Sequence, residues 1–159
     1  MRPVTGKRLL LLLAFAPLAT LGIVRQASAV DIHGTACQQY YSQSSNGLNY
    51  FVDGIRNEGS NPRYVICPLP RISESTTYGP VVYVSGGNSS GAQTSCTAYS
   101  VEFWSGSIYA AKGFSTTSSR YNRSVGFSNA EMPWAAYGSV LCYLPPNKTG
   151  VLTGIGLWH

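Results

Sequence analysis

The sequence predicts an all-β fold: an antiparallel β-sandwich of about eight strands behind an N-terminal signal peptide, with a jelly roll as one way to close it. β-Branched and aromatic residues occur in short runs, and Gly, Pro, Asn and Ser separate these runs. No stretch of ten residues has a convincing helical period. The candidate strands are Gly47–Arg56, Arg63–Cys67, Pro80–Ser85, Ser95–Phe103, Ser107–Lys112, Tyr121–Phe127, Ser139–Leu144 and Val151–Trp158.

Residues typical of turns lie between these strands. They form the clusters Asn57-Glu58-Gly59, Gly86-Gly87-Asn88, Trp104-Ser105-Gly106 and Pro145-Pro146-Asn147. The Ser105-Gly106 pair between two strand-like runs predicts a β-hairpin. Only Met132–Tyr137 fits a short helix, with Pro133 in its first turn.

Residues 1–29 have the three parts of a secretory signal peptide. Three basic residues lie within the first eight positions, Leu9–Val24 is uncharged, and Ala27-Ser28-Ala29 supplies the small residues of a cleavage site. Cleavage after Ala29 leaves one secreted domain, residues 30–159. An uncleaved membrane anchor is the alternative, but the apolar run is short for a span of about 20 residues. We therefore expect a secreted or periplasmic protein without stable membrane insertion after cleavage.

The charge of the chain excludes a nucleic-acid partner. The formal net charge is +5, yet four of the eleven Lys and Arg residues lie in the predicted leader, so the rest is close to neutral. A nucleic-acid-binding domain of this size needs a clear excess of positive charge. Eleven tyrosines and average hydrophobicity argue against disorder, although only 11% of the residues are charged.

The even number of cysteines predicts two disulfides in an exported chain. Cys37, Cys67, Cys96 and Cys142 are too widely spaced for metal-ligand pairs, so no metal site is predicted. Three pairings are open. Cys37–Cys67 with Cys96–Cys142 is preferred, because neighbouring stretches of chain most often form neighbouring strands.

The alternation of apolar and polar residues does not show which face of its strand Cys96 occupies. Cys142 shares the parity of Val140 and Leu144, which places it on the core face. Cys96 does not share the parity of Tyr99 and its apolar neighbours. The sequence therefore predicts either a β-bulge near Thr97-Ala98 or a disulfide that lies outside the core.

Two strand ends share the pattern Val-x-Cys-x-Leu-Pro, and the preferred explanation is that both strands leave the sheet at a proline. The chain also contains a longer series of motifs: Ala36-Cys37, Gly54-Ile55-Arg56-Asn57, Val65-Ile66-Cys67-Pro68-Leu69-Pro70-Arg71, Ser95-Cys96-Thr97-Ala98-Tyr99 and Leu141-Cys142-Tyr143-Leu144-Pro145-Pro146. In this order the motifs resemble a group of small exported bacterial proteins. The resemblance implies a secreted, disulfide-bonded β domain, and it carries no activity with it.

The sharpest catalytic pattern is Gly87-Asn88-Ser89-Ser90-Gly91, which satisfies the G-x-S-x-G motif of a nucleophile elbow. Ser89, then Glu102 or Glu131, then His159 also follow the chain order of α/β-hydrolase triads. The context argues against catalysis, because a strand rather than a helix is predicted after the motif. A Gly- and Ser-rich loop produces the same string by composition.

Carboxylates and histidines offer little else. The acidic residues are Asp31, Asp53, Glu58, Glu74, Glu102 and Glu131. We expect Asp31, Glu58 and Glu74 in loops or near a terminus, and Glu102 within a strand with its side chain in solvent. His33 and His159 have no metal-binding partner at a useful spacing. No catalytic residue and no cofactor are predicted.

Aromatic residues among polar loop residues are the best candidates for a binding surface. Trp104, Trp134 and Tyr137 are the chosen positions, whereas Trp158 lies within a strand and is expected to pack. The alternative is that these rings cover loops and seal sheet edges. The sequence favours an exported, non-catalytic module that binds a glycan or a protein, over a structural cell-envelope protein without a specific ligand and over a small hydrolase.

Overall fold

Eleven β-strands and one 3-10 turn make up the part of the chain that the structure describes, residues 29–40, 47–71 and 79–159 of a computed structural model. The elements are β1 (Ala29–His33), the 3-10 turn (Gly34–Ala36), β2 (Gln38–Gln39), β3 (Leu48–Phe51), β4 (Gly54–Asn57), β5 (Arg63–Pro68), β6 (Val81–Asn88), β7 (Thr94–Val101), β8 (Ile108–Thr116), β9 (Tyr121–Gly126), β10 (Tyr137–Leu144) and β11 (Gly150–Trp158). No helix within these ranges is long and apolar enough to cross a membrane. The predicted signal peptide lies outside the described residues, apart from Ala29.

The strands form two antiparallel sheets, which confirms the predicted β-sandwich. The six-stranded sheet has the order β3-β4-β11-β6-β9, and β1 also pairs with β11. β6 follows one side of β11 along its length, so β4 and β1 share the other side. The five-stranded sheet has the order β2-β5-β10-β7-β8.

The core lies between the two sheets and follows the alternation of apolar residues along the strands. Its fully buried side chains include Ile55, Val82, Val84, Leu152, Ile155 and Leu157 from one sheet and Val65, Cys67, Val140, Cys142 and Leu144 from the other. The shared Val-x-Cys pattern is part of this core, because β5 and β10 are neighbours. Val65 pairs with Cys142, and Cys67 pairs with Val140.

The preferred disulfide pairing is confirmed. Cys37 bonds to Cys67, and Cys96 bonds to Cys142. Cys96 and Cys142 stand opposite each other on β7 and β10. The predicted faces of β7 were wrong: Cys96, Ala98 and Ser100 are buried, whereas Tyr99 lies on the outer face. The irregularity in β7 falls between Ser100 and Val101, not near Thr97.

Seven of the eight predicted strands are present, and the eighth is two strands. The run Gly47–Arg56 folds into the hairpin of β3 and β4, which turns at Val52-Asp53. Gly54 has φ +139° and a Cβ there would overlap the Leu152 carbonyl oxygen, so only glycine fits this close approach. β1 and β2 have no counterpart in the prediction, and together with the division of Gly47–Arg56 they raise the strand count from about eight to eleven.

Two further local predictions were wrong. Gly86-Gly87-Asn88 is not a turn but the end of β6, because these glycines let the strand pass close to neighbouring backbone and to the Tyr121 ring. Met132–Tyr137 is not a helix. The chain there makes a turn in which the Ala136 N–H donates to the Pro133 carbonyl over 2.8 Å, and it enters β10 at Tyr137.

Candidate functional site

The outer face of the five-stranded sheet carries the aromatic side chains of Tyr64, Tyr137 and Tyr143. β10 defines this face, because its side chains alternate between the core and the outside. Val140, Cys142 and Leu144 are buried, while Tyr137 and Tyr143 point outward. Tyr143 lies six positions after Tyr137, which corresponds to about 20 Å along a strand.

An aromatic cluster, consisting of Phe103, Trp104 and Tyr137, lies at one end of this face. The Phe103 ring is 4.5 Å from the Trp104 ring in an edge-to-face arrangement and 5.0 Å from the Tyr137 ring. Trp104 is 86% exposed and Tyr137 is 45% exposed. The guanidinium of Arg71 lies 5.7 Å from the centre of the Phe103 ring. The cluster therefore presents aromatic surface to solvent.

The loop between β7 and β8 holds Trp104 in this position. Gly106 has φ +70°, and its N–H donates to the Glu102 carbonyl over 3.1 Å. Ser105 Oγ donates to the Glu102 carboxylate and also bonds to Ser107 Oγ. β7 and β8 pair as a hairpin around this loop, as the Ser-Gly pair predicted.

The structure brings two of the three predicted binding residues together. Trp104 and Tyr137 meet through Phe103. Trp134 lies in the turn before β10 and is 57% exposed, but no ring contact joins it to the cluster within the described ranges. Trp158 lies in strand β11, as predicted, but the expectation that it packs was wrong, because its side chain is 44% exposed.

A groove of about 660 Å³ lies at the other end of the same face. Tyr64 and Tyr143 stand there in an edge-to-face pair, with ring centres 5.5 Å apart. The full lining is Tyr64, Ala92, Gln93, Ser95, Thr97, Leu141, Tyr143, Pro145, Pro146, Asn147 and Thr149. None of these residues carries a charge, and most offer either an aromatic or apolar surface or a hydrogen-bonding group.

The proline-rich wall of the groove is anchored by backbone hydrogen bonds. Asn147 and Lys148 have φ +59° and +63°. The Asn147 N–H donates to the Gly59 carbonyl and the Lys148 N–H to the Asn57 carbonyl, each over 2.8 Å. Thr149 Oγ1 closes the turn on the Pro146 carbonyl at 2.6 Å. The groove is therefore largely preformed.

The sequence analysis missed Tyr64 and Tyr143 because both lie inside strands rather than in loops. A signal was present: each tyrosine has the opposite parity to a buried cysteine or valine on its own strand. An aromatic residue of that parity lies on the outer face. The sequence analysis considered only aromatic residues in loops and therefore did not use this parity.

The candidate catalytic residues do not form a hydrolytic site within the described part of the chain. The motif around Ser89 is followed by β7 and not by a helix, so the strand–turn–helix context of an elbow is absent there. The Glu102 carboxylate is bonded to Ser105, and Glu102 follows β7 rather than lying within it. Glu131 accepts a hydrogen bond from Lys112 over 2.7 Å and one from the Ser128 N–H, which lowers the pKa of its carboxyl to about 2.

His33 has a structural role, whereas His159 Nδ1 is buried without a hydrogen-bond partner in the part of the chain that the structure describes. His33 caps the 3-10 turn, where its Nδ1 accepts from the Thr35 N–H over 3.3 Å. No group of three or more His, Cys, Asp and Glu residues that could hold a metal ion occurs among residues 29–40, 47–71 and 79–159.

No known family model and no curated protein matches the chain. Ten chains of solved structures match its fold, including two with TM-scores of 0.52 and 0.54. The first, a "xylan-binding module CBM15", superposes with a TM-score of 0.52 at 10% identity over 84% of this chain and 97% of that one. The second belongs to the "Glycosylation Associate Protein (Gap123) complex from Streptococcus agalactiae", with a TM-score of 0.54 at 12% identity over 82% of this chain. The alignment spans 25% of that second protein. At these identities the likeness establishes the β-sandwich fold alone.

Proposed function

We propose that this protein is an exported, non-catalytic module that binds an extended neutral polysaccharide along the outer face of its five-stranded sheet. The observation that carries the proposal is the uncharged groove of about 660 Å³, in which the Tyr64 and Tyr143 rings stand beside polar side chains. Two disulfides support export, because such bonds persist outside the reducing cytoplasm.

The chemistry of the groove suits a sugar chain. Aromatic rings offer flat apolar surfaces at a low cost in side-chain entropy, and a pyranose ring packs against such surfaces. Gln93, Ser95 and Asn147 place amide and hydroxyl groups around the rings, where they can bond to sugar hydroxyls. The absence of charge from the lining favours a neutral polymer over an acidic or basic one.

The length of the face favours a polymer over a single sugar. The groove and the aromatic cluster lie at opposite ends of β10, about 20 Å apart. A long ligand in the groove therefore extends toward Trp104 and Tyr137. Because a similar fold occurs in a xylan-binding module, xylan is the first polysaccharide to test.

Affinity electrophoresis and titration calorimetry with soluble xylan, glucan and mannan test the proposal. We expect at least one of them to bind the wild-type protein. Tyr64→Ala and Tyr143→Ala should each weaken that binding by about tenfold, or about 1.4 kcal/mol, through the loss of ring contacts. Tyr50→Ala is the matched control, because Tyr50 is a half-exposed tyrosine on the other sheet. If no polysaccharide binds, or if Tyr50→Ala alone weakens binding, the proposal is wrong.

The predicted residues Trp104 and Trp134 test how far the ligand extends. Each Trp→Ala variant should lose less stability than the ~3–5 kcal/mol of a buried Trp. Trp104→Ala should weaken a long polysaccharide by roughly 1–3 kcal/mol and leave a short oligosaccharide bound in the groove. Thermal melts beside binding isotherms measure both effects. Unfolding of Trp104→Ala would instead assign that ring to stability.

A further inference from the structure

The outer face of the six-stranded sheet contains a second hollow, which lies beside Gly156 of β11. Asp31 on β1, Gly156 on β11 and Tyr83 on β6 stand in one row across the three strands. A Cβ at Gly156 would lie 2.5 Å from Asp31 Oδ1 and 3.7 Å from Tyr83 Cβ. The absence of a side chain at Gly156 therefore leaves room for the Asp31 carboxylate, which lies over the backbone of Gly156.

An aromatic ring closes one end of this hollow. Trp158 follows Gly156 by two residues, so its indole lies on the same outer face of β11. Asp31, Tyr83, Leu157 and Trp158 line an open pocket of about 280 Å³. The pocket thus combines one carboxylate with two aromatic side chains.

The other acidic side chains that the structure describes each have a side-chain partner, whereas Asp31 does not. Asp53 pairs with Arg56, and Glu131 pairs with Lys112. Glu58 bonds to Asn49 and lies near Lys148, while Glu102 bonds to Ser105. Asp31 has no such partner within residues 29–40, 47–71 and 79–159. Asp31 was expected in a loop or near a terminus, and it lies in the first strand, β1, where it is paired with β11.

We infer that this pocket binds an organic ammonium group, which Asp31 pairs electrostatically and Trp158 and Tyr83 flank with their rings. A cation near an aromatic ring is attracted by the negative face of the ring, and the carboxylate adds a charge-assisted hydrogen bond. A metal ion is a poor fit, since hard cations need several oxygen ligands and the pocket offers one carboxylate. An anion would be repelled.

The ammonium group can belong to an amino sugar or to a simple alkyl amine, and both share the same chemistry. Three probes separate charge from shape. Glucosamine carries the ammonium on a sugar ring, N-acetylglucosamine keeps the ring without the charge, and n-butylamine has the charge without the ring. If the carboxylate and the rings recognise the cation, glucosamine and n-butylamine bind and N-acetylglucosamine does not.

The indole N–H signals in proton–nitrogen NMR spectra of the full exported protein report on binding. The spectrum of Trp158→Phe assigns the Trp158 signal, and Trp104 on the other sheet is the internal control. We expect saturable shifts of the Trp158 signal with both amines and no shift of the Trp104 signal with n-butylamine, which has no sugar ring to contact the polysaccharide-binding face. Asp31→Asn should weaken the binding by about tenfold through loss of the charge. Asp53→Asn is the matched control, because Asp53 already pairs with Arg56.

Equal binding of N-acetylglucosamine, unchanged binding by Asp31→Asn, or no saturable shift of the Trp158 signal would each overturn the inference. This site is independent of the polysaccharide groove. Tyr143→Ala should therefore leave amine binding intact, and Asp31→Asn should leave polysaccharide binding intact. Failure of one site is thereby distinguishable from failure of the other.

Discussion

Two buried asparagines, Asn57 and Asn88, join the two sheets of the sandwich through their side chains. Asn57 Nδ2 donates from β4 to the Leu144 carbonyl of β10 over 3.2 Å. Asn88 Nδ2 donates from β6 to the Thr116 carbonyl of β8 over 2.9 Å, and Asn88 Oδ1 accepts from Thr94 Oγ1 over 2.6 Å. Because buried polar groups are costly when unpaired, these amides favour one packing of the sheets.

Tyr121 should make the stability of the protein fall at high pH. Burial raises the pKa of Tyr121 to about 12, whereas an unfolded tyrosine has a pKa near 10. As the pH rises above about 10, the unfolded chain loses this proton first, so unfolding becomes more favourable up to about pH 12. Urea unfolding on either side of pH 10 measures the fall. Tyr121→Phe should reduce it.

Tyr50→Phe is the matched control for this measurement, since Tyr50 is half-exposed on β3. Equal pH dependence in Tyr121→Phe and the wild type would contradict the prediction. The hydrogen bond from Tyr121 Oη to the Val151 carbonyl, 3.3 Å long, is lost in the Phe variant. Its loss lowers stability at every pH below the titration and so does not imitate the pH effect.

Strand β6 depends on close approach to its neighbours at Gly86. A Cβ there would overlap the Val151 carbonyl oxygen and the Tyr121 ring. Gly86→Ala should therefore destabilise the protein by about 1–3 kcal/mol, because backbone atoms cannot move away cheaply. Gly126→Ala on β9 is the control, since nothing lies within 4 Å of its Cβ position. Urea denaturation measures the stability of both variants. Equal stability of Gly86→Ala and Gly126→Ala would contradict the prediction, because it would show that β6 shifts without cost to accommodate the added Cβ.

Strand β8, at the edge of the five-stranded sheet, carries an inward-pointing charge. Lys112 Nζ donates to the Gly126 carbonyl over 2.9 Å and to Glu131 over 2.7 Å, and it lies 5.4 Å from the centre of the Phe127 ring. These contacts tie the edge of one sheet to β9 and the loop beyond it. A charge pointing inward from an edge strand also discourages pairing with another chain.

For the molecule as a whole, both disulfides attach to the five-stranded sheet: Cys96–Cys142 joins β7 to β10, and Cys37, which directly precedes β2, bonds to Cys67 of β5. The six-stranded sheet is held by packing and hydrogen bonds. The cysteines of each bridge are 30 and 46 residues apart. Chain entropy predicts that each bridge stabilises the fold by about 4 kcal/mol. Both double variants, Cys37→Ala with Cys67→Ala and Cys96→Ala with Cys142→Ala, should lose comparable stability in urea.

Mass spectrometry of exported material supplies the companion measurement. The expected mass begins at Val30 and is lower by four hydrogens than that of the reduced chain, as two disulfides require. Four free thiols would contradict the requirement for oxidation, and retained residues before Val30 would contradict the predicted cleavage after Ala29.

The residue pattern by itself determined the fold class and the sites of most strands, and it favoured, without deciding, the cysteine pairing that the structure shows. These properties depend on local alternation and on neighbouring segments, both of which are present in the one-dimensional order. Strand boundaries were harder to predict from the sequence. The residue type alone does not distinguish a glycine beside a turn, such as Gly54, from a glycine that allows close packing inside a strand, such as Gly86. The backbone of the neighbouring strand decides which of these roles a glycine has.

The candidate sites required the tertiary structure. Tyr64 and Tyr143 are 79 residues apart in the chain and meet because β5 and β10 pair in register. Asp31 and Trp158 come from opposite ends of the described chain and face one pocket because β1 pairs with β11. The sequence specifies which side chains face outward. Long-range strand pairing decides which of them become neighbours.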